Sequence, residues 1–170
     1  MPGRVFAAAA VAGALMAVAF VARGGGGVAV PLRALEMSGV LEDMNGGKVD
    51  LASFAGKPVV INLWATWCGP CKLETPQLVS LSEKFKSRGL TILGISVDDM
   101  PDAIRAFASE YKVSYPMLVG VGHDDILRRI GYQDVLPFSI LVDKSGSVVG
   151  EITGLETTAD WERRIEALLK

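Results

Sequence analysis

Histidine, cysteine and clustered charge are what this chain has least of. One histidine, His123, stands in 170 residues, and the only cysteines are Cys68 and Cys71. A structural zinc site takes four ligands, commonly from two closely spaced pairs. The second pair is missing, so the sequence points away from a metal centre. Two cysteines also fall short of the disulfide frameworks that hold small secreted domains together. Net charge is −2 and the basic residues are scattered, so the electrostatic footprint of a nucleic-acid binder is absent. Hydrophobic content of 50% against 21% charged residues excludes a disordered chain. Beyond the glycines at 24–27 there is no low-complexity tract, and there is no internal repeat.

What is present begins with an apolar run, VFAAAAVAGALMAVAFVA, that fills positions 5–22 between Arg4 and Arg23. Its 18 residues are short for a membrane span and long for a signal-peptide core. An uncleaved anchor leaves the amino terminus in the cytoplasm and the domain outside. A cleaved signal would use the small-x-small site Ala17-Val18-Ala19. The run continues past that site, which favours the anchor, and the flexible RGGGG at 23–27 speaks against a buried core helix. Both readings export the domain. Without Arg4 and Arg23, 15 basic and 19 acidic residues leave it mildly acidic at −4. The expected organisation is an anchor or signal segment over 1–23, a Gly-rich linker over 24–34 and one domain over 35–170, large enough for a real core.

Within that domain, residues 28–39 form a connector and 40–51 read as two short strands around Asn45-Gly46-Gly47. PVVINLWA (58–65) is an apolar, β-branched run expected as a buried central strand. The next helix places Leu73, Leu78, Leu81 and Phe85 at helical spacing, with Pro76 inside it as a source of a kink and Gly89 as its stop. A second buried strand spans 90–98. Then come a helix over 100–113, a short extended piece over 115–120 and a helix over 124–132. Two strands flank Lys144-Ser145-Gly146 within 138–154, and a last helix over 157–170 carries Trp161, Ile165, Leu168 and Leu169. Asp98-Asp99 reads as a loop and helix-start signal. This order implies an α/β domain with a mixed sheet flanked by helices on both faces, parallel in the middle and antiparallel at the final strand pair.

The chemistry sits between the first buried strand and its helix, in WCGPC at 67–71. A strand ending at Cys68 and a helix beginning at Gly69 put the first thiol at a helix N-terminus, where unpaired N–H groups and the helix dipole favour a thiolate. Pro70 fits the first turn because its missing N–H costs nothing there. Cys71 lies one turn on, so both sulfurs can close a disulfide within that turn. A crosslink over three residues removes little chain entropy, which argues against a structural staple. Cys68 is therefore expected to attack and Cys71 to resolve the mixed disulfide.

The segment NLWATWCGPCKLETP resembles the active-site stretch of the thioredoxin superfamily. More closely it is similar to the exported, membrane-anchored oxidoreductases of the TlpA/ResA/DsbE (CcmG) type. The likeness extends over about residues 35–170, through GKPVVINLWATWC, GISVDD and LPFSILVDKSGSVVGEITG. It implies a thioredoxin-like α/β fold with the 40–51 hairpin as an N-terminal extension. It also implies that Cys68 and Cys71 are the redox pair, that Pro76 is the helix proline, and that Pro137 is the proline found cis beside the disulfide. The residues alone leave Pro137 free to be trans. Leu136 would pair through its backbone with an incoming peptide, and Trp67, Gly69 and Pro70 complete the substrate contact. Glu74 matches an acidic residue proposed to manage protons near the buried cysteine; from spacing alone it is equally a solvated helix charge beside Lys72. Asn62 stands where thioredoxin has a buried aspartate.

The Gly69-Pro70 dipeptide is that of thioredoxin, a reducing member at about −270 mV, so the expected activity is reduction of disulfides in exported proteins, with no cofactor and no metal. A couple reducing in an oxidising compartment needs a supply of electrons. The resemblance implies a membrane transducer as that partner, and a tether that raises its effective concentration. The expected setting is the bacterial envelope, with a monomeric domain facing the periplasm from the inner membrane, or soluble there after signal cleavage. Apocytochrome c and cysteines awaiting copper in an oxidase assembly factor are the implied substrate classes, which leaves a reductase specific to cytochrome c maturation as a narrower alternative. A binding or metal-carrier module on the same scaffold is the contrasting reading, and it has no use for two cysteines at a helix start.

Overall fold

The computed structural model describes residues 33–170. The expected anchor or signal segment over 1–23 and linker residues 24–32 lie outside the described residues. Among those described, no helix is long and apolar enough to cross a membrane.

Among the described residues, eight strands form one sheet in the order β1-β8-β7-β4-β5-β6-β2-β3. They are β1 (Arg33–Ala34), β2 (Val40–Asp43), β3 (Lys48–Asp50), β4 (Val59–Trp64), β5 (Thr91–Ser96), β6 (Met117–Val119), β7 (Phe138–Val142) and β8 (Ser147–Thr153). Four helices accompany them: α1 (Gly69–Phe85), α2 (Pro101–Glu110), α3 (Asp124–Ile130) and α4 (Thr158–Leu168). β4, β5 and β6 are mutually parallel, because a helix returns the chain between each pair. β7 joins β4 antiparallel and β8 turns back on β7. This is the expected thioredoxin-like mixed α/β sheet. The connection at 43–47 turns β2 into β3, with the Asp43 carboxylate accepting from Asn45 and Gly47 N–H. Arg33 and Ala34 were expected in the linker. Instead they pair with Val148 and Ser147 of β8, so the folded domain begins at least two residues earlier.

β4 is buried at every position. With side chains alternating across it, its two faces feed two cores. Val60, Trp64, Ile92, Met117, Leu141 and Ile152 pack with α1, α2 and α4 residues. Ile61, Leu63, Leu93, Ile95, Phe138 and Ile140 pack with Ile126, Leu127 and Ile130 of α3. Burying one such side chain contributes about 1.5–3 kcal/mol, which makes β4 a rigid base for the loop and helix at its C-terminal end.

α1 buries three of the four apolar residues expected on its inner face and leaves Leu73 outside. Its buried residues are Cys71, Glu74, Thr75, Leu78, Leu81 and Phe85, whereas Leu73 is 66% exposed. Cys71 shares the phase of Leu78, Leu81 and Phe85, and the positions three and four residues after it, Glu74 and Thr75, turn inward with it. Pro76 lies inside the helix and removes one backbone donor; the Thr75 hydroxyl donates to the Cys71 carbonyl at 2.8 Å.

Candidate functional site

The site forms where β4 runs into α1. Cys68 caps the helix with extended backbone geometry, and its Sγ accepts from the Cys71 N–H at 3.2 Å. The sulfurs of Cys68 and Cys71 are joined as a disulfide. Both cysteines are nearly enclosed, Cys68 at 4% exposure and Cys71 at 1%, so the first residue is slightly the more exposed. Gly69 and Pro70 are exposed at the helix tip, and Trp67 beside them is 65% exposed. Among the described residues, no cluster of histidine, cysteine and carboxylate side chains could hold a metal ion.

Leu136-Pro137 is a cis peptide bond. Phe138, the next residue, pairs with Leu63, so the bond lies at the end of the sheet where β4 leads to Cys68. Leu136 is half-buried and Pro137 buried, with the exposed Val135 before them. The structure thus brings Trp67, Cys68, Cys71, Leu136 and Pro137 to one end of the sheet.

Glu74 faces inward under the disulfide at 1% exposure. Its Oε2 accepts from Asn62 Nδ2 at 2.8 Å, and the other N–H of that amide donates to Ser139 Oγ at 2.9 Å. One helix and two strands therefore contribute a single polar chain: Glu74 from α1, Asn62 from β4 and Ser139 from β7. Glu74 Oε1 and the Trp161 indole N–H are both buried without a hydrogen bond. Burial pushes the Glu74 carboxyl from an ordinary 4.5 up to about 7; the Asn62 amide opposes that rise, the Glu156 charge adds to it, and the nearby Trp161 indole opposes it. Arg164 holds Glu156 through two bonds of 2.6 and 2.9 Å. A carboxyl that exchanges its proton near neutrality beside a thiol pair can serve as a proton donor or acceptor. Burial and then the Glu74 charge push the Tyr115 phenol up as well.

Ser139 carried no expectation in the sequence, Trp161 was expected only as apolar packing and Asp98-Asp99 only as a loop and helix-start signal, yet all four border the site. Asp98 accepts from Trp67 Nε1 at 2.8 Å, and Asp99 accepts from Thr66. One signal for this pair was in the pattern: parallel neighbours β4 and β5 must end on the same side, so residues just past each end meet. For Ser139 and Trp161 no local signal existed.

Comparison with known proteins places these features in context. A family model described as Redoxin matches residues 27–169. The thiol-disulfide oxidoreductase ResA of Bacillus thuringiensis subsp. konkukian is 34% identical over 129 residues, covering 76% of this chain and 73% of the relative. The crystal structure of a thiol:disulfide interchange protein of the thioredoxin family from Chlorobium tepidum aligns at a TM-score of 0.72 and 30% identity, over 81% of this chain and 98% of that one. A secreted Mycobacterium tuberculosis disulfide oxidoreductase shares the fold at a TM-score of 0.69 and 24% identity, over 78% of this chain and 97% of its own.

Proposed function

The chain belongs to the Redoxin family, as a thioredoxin-superfamily thiol–disulfide oxidoreductase of the TlpA/ResA/DsbE type, and we propose that it reduces disulfides of exported proteins through Cys68 and Cys71. Thiol–disulfide exchange on disulfide-bearing substrates is the activity that family membership carries, protein-disulfide reduction included. The observation that carries the residue roles is the Cys68 sulfur at the N-terminus of α1, where it accepts the Cys71 N–H. The Cys68 thiolate attacks one sulfur of a substrate disulfide, the Cys68–substrate bond forms and the other substrate sulfur leaves as a thiolate. The Cys71 thiolate then attacks Cys68, the enzyme disulfide forms, and the substrate leaves with two electrons gained. Glu74 takes the Cys71 proton in this step, a role supported by its burial and its titration at about 7.

Peptide contact is assigned to the exposed Trp67, the Gly69-Pro70 tip and the Leu136 backbone before the cis bond; the exposed apolar Trp67 and Val135 support it. The apolar run at 5–22 supports an anchored, envelope-facing location, and the reducing direction then requires a membrane thiol–disulfide transducer as electron donor. Cysteines awaiting haem or copper in exported proteins are the substrates proposed. A Cys71→Ser variant tests the assignment in cells. A stable mixed disulfide on Cys68 identifies the substrate by mass, and recovery of no captured protein from an exported, folded variant overturns the substrate-reducing role. A mature N-terminus beginning near Phe20 overturns the anchor.

A further inference from the structure

Two consecutive aspartates that the exchange cycle does not use grip two consecutive residues of the loop that delivers Cys68. Register Trp64↔Ser96 sets the ends of β4 and β5 side by side, so Thr66 and Trp67 leave the sheet next to Asp98 and Asp99. Asp99 is 8% exposed, and its carboxylate accepts from Thr66 N–H at 2.7 Å, Thr66 Oγ1 at 2.5 Å and Ser96 Oγ at 2.6 Å. Its own N–H donates back to Ser96 Oγ at 3.2 Å. Asp98, exposed, takes the Trp67 indole. Hydrogen bonds to a carboxylate are about twice as strong as neutral ones, and three of them converge on Asp99 from two elements.

We propose that Asp99 is a positioning residue for the redox couple, holding the Thr66–Cys68 segment in register with α1 in the reduced enzyme. The proposal rests on the assignment of Cys68 and Cys71 as the exchanging pair. In the oxidised protein the disulfide itself ties the end of this loop to the first turn of the helix. Reduction adds two electrons and one proton, leaving Cys68 a thiolate and Cys71 a thiol, breaks the sulfur–sulfur bond and removes that tie. The Cys68 sulfur must still face the free N–H groups of the first turn for its thiolate to be stabilised. Its backbone is then fixed by the Cys68 N–H to Ala65 carbonyl bond at 3.1 Å and by the grip of Asp99 on Thr66. A weakened clamp therefore costs the reduced form more than the oxidised form, and the reduction potential becomes more negative.

The sign separates this geometric role from the charge of Asp99. Removing a nearby negative charge alone favours a thiolate and so the reduced form, which moves the potential the other way. The test is equilibration of the full-length protein with glutathione buffers at fixed pH, alongside thermal unfolding of both redox forms. Thr66→Val leaves the carboxylate charge in place and removes one donor. It is expected to shift the equilibrium against reduction about tenfold, or about 30 mV for this two-electron couple. Asp99→Asn is expected to move it in the same direction, and Thr66→Ser, which keeps the hydroxyl, to restore it. If Asp99→Asn does not fold, Ser96→Ala removes a different donor from the same carboxylate and carries the same expectation. An unchanged potential, a shift toward reduction, or equal loss of stability in both redox forms overturns the proposal. A wild-type protein without a reversible equilibrium overturns the exchange assignment instead.

Discussion

Glu74→Gln isolates the cost of burying a carboxyl beneath the disulfide. Glutamine matches the shape of the protonated side chain, can still accept from Asn62 Nδ2 through its carbonyl, and does not ionise. In the wild-type protein burial raises the carboxyl from 4.5 to about 7. At 1.36 kcal/mol per tenfold change in proton affinity, that rise is worth about 3 kcal/mol. The folded chain keeps its proton up to about pH 7, while the unfolded chain releases it near 4.5, so the native state binds more protons between those values. Stability falls with rising pH wherever that holds. The wild-type carboxyl therefore leaves stability intact below pH 4.5, erodes it between there and neutrality, and costs the full amount above pH 7.

The assay is urea unfolding of the oxidised wild type and the variant across pH 4–9, compared as a difference so that other titrating groups cancel. The variant is expected to gain on the wild type by about 3 kcal/mol between pH 4 and pH 8, with the midpoint of the gain between 4.5 and 7. A flat difference shows that Glu74 ionises alike in both states, and the reasoning from burial fails. In turnover the same substitution is expected to slow release of substrate from the Cys68 mixed disulfide, because Cys71 loses its proton acceptor.

Two further perturbations bear on the same structure. Arg164→Ala releases the Glu156 charge that Arg164 holds at 2.6 Å, so the Glu74 carboxyl is pushed up further and the pH-dependent loss of stability, still beginning near 4.5, grows and extends to higher pH; the part-exposed pair itself contributes at most about 1 kcal/mol, and urea unfolding across the same pH range reads both effects. Gly120→Ala sets a methyl group 2.5 Å from the Ser96 carbonyl oxygen, a backbone atom that cannot step aside, so a loss of about 1–3 kcal/mol is expected from denaturant midpoints, equally in both redox forms.

The sheet was legible because its signals are local. An unbroken apolar stretch such as VVINLW is buried on both faces, and Gly89 marks a stop where the backbone is left-handed. The two-residue β1 was not, since its pairing depends on β8 more than a hundred residues later. The same limit hid the clamp: Thr66 and Asp99 are 33 residues apart, and only the parallel register of β4 with β5 brings them together.

At α1 the apolar pattern was right at Leu78, Leu81 and Phe85 and wrong at Leu73. Counting hydrophobic residues favours Leu73 inward and Glu74 outward, since a buried carboxylate without a cationic partner is costly. The fold does the reverse at this turn, because Cys71, Leu78, Leu81 and Phe85 share the buried face and the helical repeat carries Glu74 onto it while leaving Leu73 off it. Leu73 is left on the surface, 66% exposed. The cost of burying Glu74 is offset only in part by the single Asn62 bond, with Oε1 left unpaired. A residue whose burial costs stability above neutral pH, one turn from the redox pair, is a consequence of the phase that Cys71 and these apolar residues share. The helix gives up local consistency at the turn where the chemistry is done, and that inconsistency makes a carboxyl able to exchange a proton near pH 7.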